Sequence, residues 1–159
     1  MMKNKKGFTL TELVSVVLIL GILGSIAIPK YMKTMENSKA SAGISTGYMI
    51  YSANAVYEID HPTALLSGNI TNTCNSGACN TADLSGCRLV RCKYMAADSW
   101  DTKPYIYTVG AAGGIMNVTA ARRTSGASGT STTPYSTWGY TFQASACAPL
   151  NGAPDCPAL

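Results

Sequence analysis

Residues 8–28 read FTLTELVSVVLILGILGSIAI, and this stretch sets the organisation of the whole chain. Its 21 residues contain one charged side chain, Glu12. As an α-helix the stretch would be about 31 Å long, which matches the roughly 30 Å hydrocarbon core of a bilayer. We therefore expect residues 8–28 to cross a membrane.

The residues before this stretch are basic, with Lys3, Lys5 and Lys6 preceding Gly7. Positive charge on one side of a spanning helix holds that side in the cytoplasm. An ordinary secretory signal has a shorter apolar region followed by a small-residue cleavage site. Here the plausible break precedes the apolar run, between Gly7 and Phe8. We expect cleavage to remove residues 1–7, to keep 8–28 as the membrane segment and to leave 29–159 as an exported globular domain.

Glu12 is the anomaly within the apolar run. A carboxylate inside a spanning segment costs a few kcal/mol, so it is a functional hypothesis by default. One interpretation is a shallow glutamate whose carboxylate reaches the interface. The other follows from the cleavage, which would create a positive amine on Phe8. In a low-dielectric bundle, Glu12 of one subunit could pair with that amine on its neighbour.

Gly7-Phe8, then Glu12, an apolar run and Pro29 resemble the class III signal of type IV pilins and type II secretion pseudopilins. Only Thr11 departs from the aliphatic residue most common at its position. The resemblance implies that a prepilin peptidase cuts after Gly7 and methylates the amine of Phe8. It also implies that Glu12 guides docking into a growing filament.

The end of the apolar run contains helix-weakening residues. Pro29 has no N–H to donate to the carbonyl of Ser25, so a kink or a loosened turn is expected there. Gly21 and Gly24 each lower helix stability by about 1 kcal/mol relative to alanine. The resemblance implies that this segment can melt when subunits pack. Close helix packing in the membrane is the alternative role of the glycines.

The helix is expected to continue beyond Pro29 to about Asp60, where His61-Pro62 stops it. A helix over residues 9–60 would be about 78 Å long, and its bare first half would need a membrane or other copies to cover it. An apolar stripe in its second half is predicted to pack on a sheet. The stripe consists of Ile44, Tyr48, Tyr51, Ala55 and Ile59.

The rest of the chain predicts an α+β fold in which the long helix packs on a three- to four-stranded antiparallel sheet. Residues 61–93 show no periodicity and are predicted to be a stapled loop. The predicted strands lie at 104–109, 115–120 and 135–142, with a hairpin through Gly110–Gly114 and a loop at 124–133. The tail from Cys147 to Cys156 is predicted to be a disulfide-closed loop. This layout also resembles that of pilins.

All six cysteines fall in the C-terminal half of the chain. An even number in a small, loop-rich region favours disulfides in an oxidising compartment, with a zinc site as the alternative. Six cysteines allow 15 pairings, and proximity favours Cys147–Cys156 while leaving the other four open. The six are Cys74, Cys79, Cys87, Cys92, Cys147 and Cys156.

The formal net charge is +4, but three of the basic side chains belong to the leader. Without residues 1–7 nine basic and eight acidic side chains remain, so the charge requires no nucleic-acid partner. A basic cluster could still bind DNA. The alternative is that these side chains are ordinary solvated charges on the protein surface. Its members would be Arg88, Arg91, Lys93, Arg122 and Arg123.

Residues that would support catalysis are sparse. His61 is the only histidine and has no nucleophile to pair with, and no phosphate-binding or dinucleotide motif is present. After Asp101 the only acidic residue is Asp155, which is too few carboxylates for calcium. We expect neither an enzyme nor a bound cofactor or metal.

Three functions remain as hypotheses. The first is a subunit of a type IV pilus, serving adhesion, twitching motility or DNA uptake. Its partners would be copies of itself, other pilins, the prepilin peptidase and the inner-membrane assembly machinery. The second is a pseudopilin, since residues 98–107 are similar to the Asp-Pro-Trp-Gly-x-Pro-Tyr-x-Tyr segment of major pseudopilins. The third is a membrane-anchored binding module that never polymerises.

Overall fold

The computed structural model describes residues 7, 9–125, 134–144 and 146–157. The chain divides into two compact units, Met1–Asn37 and Ser38–Leu159. One helix, α1 (Leu10–Asp60), contributes its first part to one unit and its second part to the other. The expected helix end at Asp60 is therefore confirmed.

In the first unit none of the residues that the structure describes covers the apolar part of α1. An 18-residue window of this helix has a mean hydropathy of 2.3 and is 0% buried. Its large side chains are strongly exposed, from 54% for Val16 to 80% for Leu10. Helix α1 is long and apolar enough to cross a membrane by length and composition. Such a surface is stable only when lipid or other protein removes it from water.

The second unit is built on a five-stranded antiparallel sheet whose strand order follows the chain. The α+β fold is thus as predicted, but the sheet is larger than the three or four strands expected. The two additional strands lie at the edges, inside segments that the sequence predicted to be loops. The strands are β1 (Gly68–Ile70), β2 (Tyr105–Ala112), β3 (Ile115–Arg122), β4 (Gly139–Gln143) and β5 (Ala146–Leu150).

The hairpin between β2 and β3 is tighter than the five-residue loop expected from Gly110–Gly114. Ala112 pairs with Ile115, so only Gly113 and Gly114 form the turn. Their φ angles are 61° and 79°. A two-residue turn with positive φ at both positions matches the right-handed twist of the flanking strands, and glycine adopts it at no steric cost. The paired glycines therefore set the register of the two central strands.

Helix α1 packs on this sheet through a face that contains small residues. A β-carbon on Gly43 would lie 2.6 Å from the ring of Tyr105, and one on Gly47 would lie 2.2 Å from the ring of Phe142. The two glycines therefore let aromatic rings of the sheet touch the helix backbone. The hydroxyl of Tyr107 donates to the carbonyl of Gly43 at 3.4 Å.

The predicted stripe on α1 is only partly right. Ile44 is buried, and Tyr48 and Tyr51 pack half-buried against the core, but Ile59 is 79% exposed. The predicted stripe contained large apolar residues but not the buried glycines Gly43 and Gly47. Its centre was therefore rotated around the helix axis away from the face that is actually buried. The buried face in fact follows a three- and four-residue spacing. It contains Ala40, Gly43, Ile44, Gly47, Ile50, Ala53, Asn54 and Tyr57.

The segment predicted as a stapled loop contains β1, a short 3₁₀-helix, η1 (Asn72–Asn75), and a one-turn helix, α2 (Arg88–Arg91). A second 3₁₀-helix, η2 (Trp100–Thr102), lies beyond the segment. A third 3₁₀-helix, η3 (Tyr135–Thr137), precedes β4, so the predicted strand at 135–142 begins later than expected. The residues of the predicted loop at 124–133 fall outside the described part from 126 onward.

Three disulfides join the six cysteines. Cys74 pairs with Cys87 and Cys79 with Cys92, each across 13 residues, so the two closed loops overlap. Cys147 pairs with Cys156, the pairing that proximity favours. The last disulfide ties the tail to β5, which is a hydrogen-bonded strand rather than the loop expected there.

Candidate functional site

Glu12 lies in the first turn of α1 and is hydrogen-bonded to Thr9. Its Oε2 atom accepts the backbone N–H of Thr9 at 2.8 Å and the hydroxyl of Thr9 at 2.7 Å. In return, the backbone N–H of Glu12 approaches the Thr9 hydroxyl oxygen at 3.3 Å. This reciprocal arrangement is a capping box, in which two residues satisfy backbone donors that a helix start leaves free.

Thr9 is a residue that the sequence analysis missed. Its signal was available, because Thr9-Leu-Thr-Glu12 has the threonine-x-x-glutamate spacing that marks a helix start before an apolar run. The helix beginning at Leu10 agrees with that spacing. Glu12 therefore has a structural role in capping the helix, in addition to the docking role predicted from the sequence.

The capping box does not neutralise the carboxylate. Thr9 supplies two hydrogen bonds but no positive charge, and from Leu10 to Pro29 Glu12 is the one charged residue. Glu12 adjoins the exposed apolar side chains of Leu13, Val16 and Val17. A negative charge on an apolar surface strongly favours a cationic partner once water is excluded.

The proposed cleavage position is described on one side only. Gly7 is exposed, and a β-carbon added to it would meet nothing within 4 Å. Phe8, expected to carry the new amine and its methyl group, lies outside the described residues, as do residues 1–6 of the leader. Cleavage, methylation and docking at Phe8 therefore stay predictions.

Gly21, Gly24 and Pro29 lie within a continuous α1. The assigned helix runs through Pro29, and the expected kink or melting stays a prediction. A β-carbon on Gly21 or Gly24 would have open space around it. Neither glycine is thus required by packing within the chain, unlike Gly43 and Gly47.

Most members of the basic cluster proposed to bind DNA are buried or make contacts within the fold. Arg88 is 2% exposed and donates to the carbonyl of Thr81 at 2.9 Å while its guanidinium lies 4.9 Å from the ring centre of Tyr57. Arg122 is 4% exposed and donates to the carbonyl of Pro104 at 2.8 Å. Buried arginines in such contacts are unavailable to phosphates, which corrects the suggestion of a five-residue patch.

The two half-buried arginines are also engaged. Arg91 forms an ion pair with Asp83 at 2.9 Å and donates to the carbonyl of Ser76. Arg123 donates to the carbonyls of Lys103 and Trp100. Of the proposed patch only the remaining member, Lys93, is exposed. The argument for nucleic-acid binding is weaker than the sequence suggested.

Residues 98–107, the segment similar to pseudopilins, contribute three buried aromatic side chains to the core, those of Trp100, Tyr105 and Tyr107. Trp100 is 1% exposed, and its indole N–H donates to Oδ1 of Asn75 at 3.1 Å. Lys103 lies over the Trp100 ring at 5.5 Å and pairs with Asp98 at 2.7 Å. Lys103 and the N–H of Ser99 hold the pKa of Asp98 below its usual value. The segment has a clear packing role and does not distinguish a pilin from a pseudopilin.

His61 ends the long helix and takes part in aromatic packing. Its ring stacks on Tyr57 with a centroid distance of 4.6 Å. Its Nδ1 atom lies 3.3 Å from the Tyr57 carbonyl oxygen. Within the part of the chain that the structure describes, no group of three or more His, Cys, Asp or Glu side chains is placed to hold a metal ion.

Comparison with known protein families identifies the N-terminal segment. Residues 2–28 match the family model described as the prokaryotic N-terminal methylation motif. The match contains the proposed cleavage position, Glu12 and the apolar part of α1. The chain therefore carries the N-terminal methylation motif of prokaryotic prepilins.

Curated relatives match part of the chain. A fimbrial protein of Pseudomonas aeruginosa is 48% identical over 44 residues, covering 28% of this chain and 29% of the relative. The type IV major fimbrial protein FimA of Dichelobacter nodosus is 52% identical over 46 residues, covering 28% of this chain and 30% of the relative. The chain thus aligns with less than a third of the length of these relatives. No solved structure matches it.

Proposed function

We propose that this chain is the precursor of a type IV pilus subunit, which polymerises through its apolar N-terminal helix into a surface filament. The observation that carries the proposal is an exposed, membrane-length helix inside a prepilin methylation motif. Two proteins named as fimbrial proteins are about half identical to this chain over 44 to 46 residues. Outside it, the long helix, antiparallel sheet and three disulfides form a pilin-like α+β fold.

In this proposal the chain has three functional parts. Residues 1–7 are a leader that a prepilin peptidase removes, residues 8–28 hold the subunit in the inner membrane and later in the filament, and residues 29–159 form the exported domain. Exposed Gly7 leaves the chain accessible at the cleavage position. The disulfides suit an oxidising compartment outside the cytoplasm.

Glu12 is proposed to select the docking position of each incoming subunit. Its carboxylate is the one charge on an apolar surface, and the processed chain would offer an amine at Phe8 four residues away in sequence. When a neighbouring helix excludes water, a pair between these groups is favoured and a misplaced carboxylate is costly. This ion pair would therefore determine the relative position of the two helices more than it would increase the affinity between subunits.

The work of such a subunit is mechanical rather than catalytic. The relatives found by comparison are named as fimbrial proteins. Adhesion, twitching motility and DNA uptake are the roles open to the assembled filament. Assembly itself would depend on other pilins and on the inner-membrane machinery.

A pseudopilin of type II secretion is the second candidate, and it rests on the sequence similarity of residues 98–107 alone. It would use the same peptidase, methylation and Glu12 docking. It differs in where the polymer forms, because a pseudopilin remains in the cell envelope. Localisation of the polymer therefore separates the two.

The test is mass spectrometry of the N-terminal peptide from filaments sheared off the cells. We expect a peptide that begins at Phe8 and is heavier by one methyl group. Processed chain found solely in the membrane fraction would favour the pseudopilin. An intact leader in cells that contain the peptidase would refute the proposal.

A further inference from the structure

Two lysines follow the apolar part of α1 almost at once. Between Glu12 and Glu36 the helix carries two charged residues, Lys30 and Lys33. They lie two and five residues beyond Ile28, so a rise of 1.5 Å per residue places their α-carbons about 3 Å and 7.5 Å past the end of the apolar run. The polar layer on each side of the hydrocarbon core of a bilayer is about 5–8 Å thick. When the apolar run crosses a membrane, both lysines therefore lie within the layer of lipid headgroups.

Neither lysine has a partner for its charge within the part of the chain that the structure describes. Both side chains are exposed, and neither ammonium group forms an ion pair or a hydrogen bond there. The hydroxyl of Thr34, the polar neighbour on the same helix, donates to the carbonyl of Lys30 at 3.0 Å. Glu36, the next acidic residue along the helix, is only 9% exposed. The positive charges of Lys30 and Lys33 are therefore available to a partner outside the chain.

The position of these charges opposes the expected orientation of the chain in the membrane. Basic residues favour the cytoplasmic side of a spanning helix, yet Lys30 and Lys33 follow the helix on its exported side. The three lysines of the leader, Lys3, Lys5 and Lys6, outnumber them and set the orientation. Insertion therefore gives no reason for lysines at this point, and their position indicates a contact that is made after the helix has inserted.

The residues around the two lysines suit the same layer of a membrane. Tyr31 is 66% exposed, and tyrosine is enriched where acyl chains meet water because its ring is apolar and its tip is polar. Met32 and Met35 are 47% and 43% exposed. A lysine can lay its aliphatic stem along such apolar surface while its ammonium group reaches outward. This segment therefore combines apolar surface and positive charge as the boundary between acyl chains and phosphate groups requires.

We propose that Lys30 and Lys33 bind the headgroups of anionic phospholipids at the outer face of the inner membrane. The inference rests on the proposed membrane insertion of the precursor and adds which lipid surrounds the helix where it leaves the bilayer. An anionic headgroup offers phosphate oxygens with a net negative charge, whereas a zwitterionic headgroup neutralises the same phosphate with its own ammonium group. Lipid is favoured over carboxylates of another copy because the two lysines directly follow the membrane-length run, so every inserted chain presents them to headgroups.

Quenching of a tryptophan placed beside the lysines tests the lipid contact. Ile26 is exposed and lies four residues before Lys30 and seven before Lys33, so the three share one face of the helix. The full chain with Ile26→Trp is reconstituted into vesicles of equal parts phosphatidylglycerol and phosphatidylcholine, with bromine on the acyl chains of one lipid or of the other. Native Trp100 and Trp138 are buried, and the signal of the chain without the added tryptophan is subtracted. Because bromine quenches on contact, lipids bound by the leader at the other end of the span do not contribute.

Matched variants separate the charge from other causes of a lipid preference. At low salt, phosphatidylglycerol should be preferred beside the added tryptophan by about fivefold, which is equivalent to about 1 kcal/mol. Lys30→Gln combined with Lys33→Gln should abolish the preference, whereas arginine at both positions should keep it. Lys93→Gln, at an exposed lysine of the second unit, should leave it unchanged. Equal quenching by the two lipids in the chain with both lysines, or a preference that survives in the double glutamine variant, would overturn the inference.

The vesicle measurement does not depend on pilus assembly, because the vesicles contain neither the peptidase nor the assembly machinery. A fivefold lipid preference in a chain that forms no filaments in cells would support the lipid contact and count against the pilus. Filament yield of the double glutamine variant is measured alongside. Loss of filaments in that variant, with no lipid preference in vesicles for the chain that has both lysines, would assign the lysines to contacts between copies and overturn the inference.

Discussion

One carboxylate oxygen of Glu12 accepts both the backbone N–H of Thr9, at 2.8 Å, and the Thr9 hydroxyl, at 2.7 Å. The residue expected to guide docking therefore also begins the helix that docks. The two roles use different properties, because capping needs an acceptor atom and docking needs a negative charge. Substitutions that separate these properties distinguish the roles.

Glu12→Gln keeps a capping acceptor and removes the charge, whereas Glu12→Ala removes both. If docking depends on charge, each variant should lower the yield of sheared filaments by at least about tenfold, since a buried charge contact is worth more than 1.4 kcal/mol. Yield is compared with the amount of processed subunit in the membrane. Thr11→Val is the control: it removes a 3.2 Å hydrogen bond to the Thr9 hydroxyl but keeps the Thr9–Glu12 hydrogen bonds and the charge, and it should assemble normally. Normal assembly of the Gln variant would assign Glu12 to capping alone.

Gly47→Ala should destabilise the second unit. The new β-carbon would lie 2.2 Å from the ring of Phe142, so the helix or the strand must move. Overpacking of this kind costs about 1–3 kcal/mol or more, although alanine in place of glycine in an open helix would be favourable. Thermal unfolding of the full chain in detergent, followed by tryptophan fluorescence, measures the change. Ser45→Ala, on the exposed side of the same helix, should leave the midpoint nearly unchanged; a similar midpoint for both variants would disprove the close approach.

The six cysteines should be unreactive until the chain is reduced. Alkylation of unreduced, denatured protein is expected to label none of them. On gradual reduction of the native protein, Cys79–Cys92 should open before Cys74–Cys87, because Cys79 is exposed while Cys74 is 0% and Cys87 8% exposed. Peptide mapping after timed alkylation reports the order. Early labelling of Cys74 would contradict the burial of that disulfide.

Stability should fall slightly in acid through Asp98. Lys103 and the N–H of Ser99 lower the pKa of Asp98 in the folded state, so the folded state binds its proton less readily than the unfolded state. The contribution is present above the unfolded pKa of about 3.9 and is lost as the pH falls through the folded pKa. The side chain is 45% exposed, so solvent screening limits the effect to less than about 1 kcal/mol. The free energy of unfolding, measured with urea at pH 6 and pH 3, gives the size of the effect. In Asp98→Asn this free energy should depend less on pH than in the unmodified protein. An unchanged pH dependence would show that the Asp98–Lys103 pair is not its cause.

Several features could be predicted from the sequence because they depend on neighbours along the chain. The membrane-length helix follows from uninterrupted apolar residues at 8–28, and its end at Asp60 follows from Pro62. The hairpin follows from adjacent glycines at 113 and 114. The capping pair of Thr9 and Glu12 was equally readable from its spacing. Each signal is local, so no distant residue is needed to interpret it.

Other features depend on residues far apart in sequence. The short strand β1 exists because its backbone pairs with β2, although its own residues carry little strand preference. Gly43 and Gly47 belong to the buried face because Tyr105 and Phe142 arrive from the sheet. Arg88, Arg91 and Lys93 look alike in sequence, and only long-range packing separates the buried arginine from the exposed lysine.

The amino-acid sequence alone was therefore sufficient to predict the apolar helix, its charged residue and the disulfide in the tail, because each depends on residues close together in the chain. Tertiary structure decided the pairing of the other four cysteines, the fifth strand and the side of α1 that remains bare. Burial of one helix face is set by rings some sixty to ninety-five residues away, as Gly43–Tyr105 and Gly47–Phe142 show. The exposed side of α1 can be identified only once those contacts have defined the buried side, because exposure is a property of the packed chain and not of any residue in it.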